Sequence, residues 1–276
     1  MNKRIFWPGE EWLSYKIYLS EKTGEELIKN LQSIINELNE NLLFTKWFFI
    51  RYYDPAYHLR IRFYHPEGID LTSLNQLFIG AIEKYTDRIF IKNIIIDSYK
   101  REIERYPEIE KSETVFYLNS EFNAALHASS MGDYEKWLIN LKYVDELLDH
   151  YGLSLNQKLD YINNLKDRFN SEFNYNKSIN KELNIQYTSY KTDVFEILSK
   201  KSSELNTYNI REIVFLKENP MFFRNDFQFY ALESYLHMNF IRLFPNHNRL
   251  SECVTYNLLY KYYKNLLGKT NYATKY

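Results

Sequence analysis

The chain has 276 residues, 45% of them hydrophobic and 26% charged, with a net charge of -1 and one cysteine. That balance suits one large globular domain or two modest ones, offers no general basic surface for nucleic acid or membranes, and leaves no disulfide framework. No stretch approaches the ~18 uninterrupted apolar residues of a membrane span. Met1–Gly9 has two basic residues without an apolar run behind them, unlike a secretory signal, so a reducing cytoplasm is the expected setting.

Trp12–Leu19 predicts a strand. Thr23 is the expected cap of a helix starting near Gly24, with Glu25 and Glu26 in its first turn, where carboxylates suit the helix dipole. Leu27, Leu31, Ile34, Ile35 and Leu38 then form one helical stripe. Two strands are expected at about 46–53 and 58–65, joined by a turn at Asp54-Pro55. Leu71, Leu74, Leu77, Phe78 and Ile82 mark a second amphipathic helix, and Phe90–Ser98 a fourth strand. The order is β-α-β-β-α-β, the split βαβ or ferredoxin-like arrangement.

From about residue 113 the chain predicts almost only helix, near 113–128, 133–150, 155–172, 180–202, 208–217, 225–244 and 251–266. Asp133 and Ser154 are expected N-caps, and Pro220 and Pro245 bound the later helices. The polar, Asn-rich stretch Phe169–Lys181 is an expected surface loop. The expectation is an α+β fold. A sheet subregion over 1–110 carries an arginine-rich hairpin and packs against a helical subregion over 111–276, in one compact structural unit.

Seven scattered glycines form no phosphate loop, six histidines show no HExxH, and no G-x-S-x-G elbow is present. A single cysteine argues against a structural zinc, and Cys253 reads as a packed small residue. No metal and no cofactor are expected.

Three segments carry the candidate chemistry. In the second hairpin strand His58, Arg60 and Arg62 alternate with Leu59, Ile61 and Phe63, so one face is apolar and the other shows an imidazole and two guanidiniums. Fixed guanidiniums suit carboxylates, although the same pattern also describes a solvated strand face. If Tyr99–Tyr106 is helical, Glu102, Arg105 and Tyr106 share one side. They form either an ordinary exposed ion-pair set or a site in which Arg105, oriented by Glu102, joins Arg60 and Arg62. In the apolar helix Ser234–Leu243 the only basic residues are His237 and Arg242. A lone histidine there is more often packed core, yet imidazole is the side chain type best suited to proton transfer at neutral pH.

Together these segments resemble the small glutamate-eliminating domain of class I lanthipeptide dehydratases, which also occurs as a stand-alone chain in thiopeptide and split lanthipeptide systems. The pattern W-F-F-I-R-Y-x-D-P-x-x-H-L-R-x-R-F is matched almost letter for letter at 47–63, and Y-x-R-E-x-x-R-Y at 99–106. An E-x-x-F-x-x-D-S-like stretch corresponds to Glu113–Ser120, and S-x-x-H-M-x-x-N-R-L is matched in part at 234–243. Three positions depart from the family pattern. Pro107 stands where glycine is usual, Asn119 where an acidic residue is usual, and Asn239–Arg242 breaks the usual spacing.

The resemblance implies a lyase that removes glutamate from glutamylated Ser or Thr of a ribosomally made peptide, leaving dehydroalanine or dehydrobutyrine. It implies Arg60, Arg62 and Arg105 on the glutamyl group, Glu102 orienting an arginine, and His237 moving a proton. Arg51, His58, Tyr99 and Arg242 are in support. The implied partners are a precursor peptide with a leader and a separate tRNA-dependent glutamyl-transferring subunit. A cyclase and a homodimer are both compatible with it, while direct nucleic-acid contact is not expected. Two alternatives stay open: a pyridine-forming cycloaddition synthase, a branch that tends to lose these arginines, and a non-catalytic module that binds a leader or docks a partner enzyme. A free sheet edge would suit an extended leader.

Overall fold

A computed structural model describes residues 3–106, 108–172, 177–199, 211, 215, 218, 219, 227–245 and 248–273. Its strands are β1 (Ile5–Phe6), β2 (Trp12–Leu19), β3 (Lys46–Tyr52), β4 (His58–Tyr64), β5 (Ile91–Asp97) and β6 (Tyr99–Lys100). Four of them form a sheet in the order β3-β4-β2-β5, while β1 and β6 form a two-stranded sheet. Every pairing is antiparallel. With strands and helices together the protein is a mixed α+β structure.

Period-two alternation decides the faces of the larger sheet. Leu13, Tyr15 and Ile17 of β2, with Leu59, Ile61 and Phe63 of β4, are fully buried in one apolar core. Helix α1 (Glu21–Asn39) supplies Leu27, Leu31, Ile34, Ile35 and Leu38 to that core, and helix α2 (Leu71–Glu83) supplies Leu74, Phe78 and Ile82. Each of these side chains contributes roughly 1.5–3 kcal/mol by leaving water. Gly24 allows a close approach: a Cβ there would stand 2.6 Å from Cε1 of Tyr57 and 2.9 Å from Cδ1 of Leu19, with the Tyr57 hydroxyl nearer still.

Helix boundaries differ from the sequence expectation where capping chemistry decides them. The cap of α1 is Ser20, not Thr23: the Ser20 hydroxyl accepts from the Thr23 N–H at 3.1 Å, and Thr23 lies buried inside the first turn. Asp70 caps α2 by accepting from the N–H groups of Thr72 and Ser73. The strand expected from Phe90 is preceded by a 3-10 turn over Arg88–Phe90. Tyr99–Tyr106 is not a helix: Tyr99 and Lys100 pair with Phe6 and Ile5, and a turn follows in which Tyr106 N–H donates to the Glu102 carbonyl. A strand that answers to a partner elsewhere in the chain overrides the local helical spacing.

The remaining helices are α3 (Ile109–Ala128), α4 (Asp133–His150), α5 (Leu155–Glu172), α6 (Lys177–Ser199), α7 (Phe227–Leu243) and α8 (Asn248–Ala273). Gly132 rather than Asp133 holds the cap position of α4, its N–H donating to the Glu135 carboxylate at 2.7 Å. Ser154 precedes α5 as expected and exchanges hydrogen bonds with Gln157. The stretch expected as a loop near 169–181 is helical up to Glu172 and again from Lys177. Pro107, Pro220 and most of the helix expected at 208–217 lie outside the described residues.

The chain divides into two compact units, one of Met1–Ser130 with Asn225–Asn246 and the other of Met131–Arg224 with His247–Tyr276. In this division α3 and α7 fall in the same unit as the sheet. In the first unit they cover β3. The N–H of Phe49 donates to Ser120 Oγ of α3 (3.2 Å), and the Phe49 carbonyl accepts from Arg242 Nε of α7 (2.8 Å), closing the outer edge of that strand. In the second unit the buried Asp145 of α4 accepts from Lys158 Nζ of α5 and from the Tyr263 hydroxyl of α8, both at 2.7 Å. Among the described residues no helix is long and apolar enough to cross a membrane.

Candidate functional site

The sheet face opposite the apolar core carries His58, Arg60 and Arg62, as the alternation of β4 requires. Phe48, Ile50 and Tyr52 of β3 share that face. Above it, α3 and α7 leave a cleft of about 220 Å³ within the first unit. Arg60, Arg62, Tyr99, Glu102, Arg105 and His237 all line it. Two strands, a turn and a helix distant in sequence therefore bring six of the nine predicted residues to one place. Lys100, Tyr106, Phe116, Met238 and Ile241 complete the wall with the three β3 side chains and Ile109.

Arg62 lies deepest in chemical terms. Its guanidinium carbon is 4.7 Å from the Tyr99 ring and 5.2 Å from the Phe48 ring, and its buried Nε has no hydrogen-bond partner. Burial works against its charge, but a guanidinium stays protonated. A desolvated cation of this kind gains more from an entering carboxylate than a solvated one would. Arg60 lies flat over the Tyr52 ring at 3.4 Å. Among the described residues neither Arg60 nor Arg62 has a carboxylate within ion-pair reach.

Glu102 and Arg105 meet only at 3.4 Å, and their side chains are 66% and 58% exposed. A contact so solvated orients Arg105 weakly. Tyr99 is positioned more firmly. Its strand partner is Phe6, and its hydroxyl shares the Glu113 carboxylate, which also takes a bidentate bond from Arg101 at 2.6 and 2.7 Å. Burial pushes the Tyr99 phenol well up, so it remains neutral at physiological pH. On the other wall, Tyr106 is fixed by its hydroxyl contact with Ser234 of α7 and by stacking on Tyr235.

Three predicted supporting residues lie outside the cleft wall. Arg51 is buried, forks onto Glu25 of α1 with two bonds of 2.6 Å, and donates to the carbonyls of Ile241 and Arg242. Arg242 is buried, with Nε on the Phe49 carbonyl at 2.8 Å and Nη1 on Asn119 at 2.9 Å. Asn119, the position that departs from the acidic pattern, joins Asn123 and Asn239 in a buried amide network. His58 sits fully buried beneath the site between Tyr18 and Tyr52.

Sequence reasoning missed Lys100, Tyr52 and the apolar wall. The signal for Tyr52 was available, since Phe48, Ile50 and Tyr52 alternate along β3 as Arg60 and Arg62 do along β4. Nothing local marked Lys100, whose place depends on β6 pairing with β1.

With this geometry in view, comparison with known proteins is decisive about ancestry. The family described as lantibiotic biosynthesis dehydratase C-term matches residues 12–263. The chain belongs to that family. It is 27% identical over 179 residues to the subtilin biosynthesis protein SpaB of Bacillus subtilis, covering 62% of this chain and 17% of that protein. It is 29% identical over 120 residues to the nisin biosynthesis protein NisB of Lactococcus lactis subsp. lactis, covering 41% of this chain and 11% of that one. The family member thus spans a small fraction of these curated relatives.

Solved structures share its fold. The tRNA-dependent lantibiotic dehydratase MibB from Microbispora sp. 107891 superposes with a TM-score of 0.67 at 16% identity, over 96% of this chain and 29% of MibB. TsrL gives 0.64 at 11% identity, over 93% of this chain and 96% of TsrL. TbtD, the pyridine synthase from thiomuracin biosynthesis, gives 0.61 at 10% identity, over 92% of this chain and 99% of TbtD.

Proposed function

We propose that this lantibiotic dehydratase C-terminal family member is a glutamate-elimination lyase. It acts on Ser or Thr residues that a separate glutamyl-transferring enzyme has esterified in a precursor peptide. The observation that carries the reading is the convergence of Arg60, Arg62, Arg105 and His237 on one cleft. In the elimination a base removes the α-proton of the modified residue, the Cα–H pair forms the Cα=Cβ bond, and the Cβ–O bond breaks. The leaving carboxylate keeps that bonding pair and departs as glutamate.

Each step matches a group in the cleft. The arginines face charge on the glutamyl group and on the departing carboxylate in a partly desolvated site, where preorganised cations stabilise a transition state most. His237 is the proposed proton acceptor. The aromatic floor of Tyr52, Phe48 and Tyr99 holds guanidinium planes in place. At about 220 Å³ the cleft is smaller than the roughly 300–1,000 Å³ of pockets for drug-sized ligands, in keeping with one amino-acid-sized group. We read the sheet layer as a split βαβ unit, because β2-α1-β3-β4-α2-β5 follows that order with strands arranged β3-β4-β2-β5. A glutamyl-tRNA-dependent partner would place the reaction in the cytoplasm.

A second reading, the pyridine-forming cycloaddition synthase, draws support from the shared fold, which extends over 99% of TbtD. The cluster of cleft arginines favours elimination over it, because an uncharged cycloaddition has no carboxylate to expel.

The test is mass spectrometry of a glutamylated precursor peptide before and after incubation with this protein. Release of glutamate with formation of dehydro-residues supports elimination. Leader loss from an azole-containing, dehydrated peptide supports cycloaddition. Tight binding without chemistry supports a docking module.

A further inference from the structure

His58 has a geometry that its burial alone does not require. It begins β4, is fully buried, and stacks on Tyr18 at 4.5 Å with Tyr52 5.4 Å away on its other side. Its Nδ1 lies 2.8 Å from the Ala56 carbonyl, which can only accept. Nδ1 therefore carries the ring proton, and Nε2 is left with a lone pair. That lone pair accepts from Arg60 Nε at 3.1 Å. Side chains two apart on a strand share a face, so the imidazole stands directly behind the guanidinium that lines the cleft.

We propose that His58 is a positioning residue for the cleft. By holding Arg60 through Nε, it presses the guanidinium flat on Tyr52 and leaves both terminal nitrogens for a bound carboxylate. One ring contact, with Tyr52, and one hydrogen bond, to His58, then define the fork. The same geometry explains why an imidazole occupies the site: the position demands an aromatic ring for the stack, a donor toward Ala56 and an acceptor toward Arg60. Neutral histidine supplies all three.

The hold depends on His58 remaining neutral, since a proton on Nε2 would place two donors against each other. The groups facing it are Arg60 beside it on β4, Lys16 and Tyr18 from β2, Tyr52 from β3 and Asp54 in the turn. Burial keeps the imidazole below its ordinary range, and Arg60 and Lys16 push the same way, while the Ala56 carbonyl and Asp54 oppose them. The hold is therefore intact at neutral pH and lost only as acid protonates the ring.

The test uses nitrogen-15 NMR on the whole chain together with turnover of an O-glutamyl seryl peptide. The turnover arm rests on the elimination reading; the NMR arm does not. In the wild type His58 should be protonated at Nδ1 alone, and the Arg60 Nε–H should exchange slowly with water, a protection that disappears as His58 titrates. His58→Phe keeps a ring between the two tyrosines but has no acceptor. It should lose the protection and slow glutamate release roughly 10–100-fold, mainly in kcat, as misplaced catalytic groups do. His58→Gln, which restores an acceptor near the Nε2 position, should recover part of both.

A His58 proton found on Nε2 would overturn the proposal. So would an Arg60 Nε–H that exchanges alike in wild type and His58→Phe, or unchanged turnover in His58→Phe. A wild-type protein that protects Arg60 yet releases no glutamate would support the hold while sinking the elimination reading.

Discussion

The Nε of Arg242, in the last helix of the first unit, donates to the backbone carbonyl of Phe49 at 2.8 Å. That bond closes an edge strand whose free carbonyl would otherwise face an apolar helix. The same guanidinium reaches Asn119, while the Arg242 carbonyl accepts from Arg51 and from His127. One residue thereby ties α7 to β3 and α3 and holds the helix that presents His237.

Arg242→Met should therefore act on stability first. It removes a buried cation and leaves the Phe49 carbonyl unpaired, a change that costs about 3 kcal/mol in comparable buried sites. Chemical denaturation of the two proteins measures it. A midpoint shift equivalent to less than 1 kcal/mol would mean that the edge is closed by the other contacts.

Arg105→Ala should do the reverse. Arg105 is 58% exposed, and its 3.4 Å contact with Glu102 is solvated, so stability should change by no more than about 0.5 kcal/mol. Under the elimination reading, glutamate release should fall at least ~100-fold, the usual scale for losing one preorganised charge donor. Equal loss of stability and activity would show instead that Arg105 has a structural role.

Asp70 gives a pH-dependent prediction. The Ser73 hydroxyl and the N–H groups of Ser73 and Thr72 hold its carboxyl below the usual range. A folded pKa below the unfolded one means that the unfolded state binds the proton more readily. The stabilisation is thus complete above the unfolded value and is lost as pH falls through the folded one. Stability of the wild type should fall on acidification in that window, and Asp70→Ala should lose stability at neutral pH but show a shallower acid dependence. Parallel pH curves for the two proteins would contradict the capping role.

Cys253 is a probe of opening. It is buried in α8, burial pushes its thiol up, and Asn257 contacts it. Thiol reagents should label it slowly in the native protein and quickly in denaturant, because both access and thiolate fraction are low. Rapid native labelling would show that α8 opens locally.

Much of this was legible in the sequence because it depends on local periodicity. The burial of Leu59, Ile61 and Phe63 against α1, and the opposite facing of Arg60 and Arg62, follow from a strict alternation. The stripe from Leu27 to Leu38 likewise fixed which face of α1 is apolar. Tyr99–Tyr106 misled for a physical reason: its i, i+3, i+4 spacing looks helical, but Tyr99 and Lys100 answer to Ile5 and Phe6, about ninety-five positions away. The ion pair of Arg101 with Glu113 was hidden in the same way, since a strand end and a helix separated by a turn share no periodic signal. Arg242 was visible as a basic residue in an apolar helix, but only the fold shows that it turns from the cleft to the edge of β3.

The assignment of the proton acceptor gives the sharpest remaining prediction. His237 stands on α7 in the cleft wall, where Tyr106, held by Ser234 one turn earlier, fixes the neighbouring surface. If His237 takes the α-proton, His237→Ala should bind glutamylated peptide with near wild-type affinity but eliminate glutamate ~100- to 10,000-fold more slowly, the range for losing a general base. In the wild type, deuterium at the α-carbon should slow elimination in single-turnover measurements. A His237→Ala rate within a few-fold of wild type would exclude it as the base. Weakened binding with an unchanged chemical step would instead make it a substrate contact.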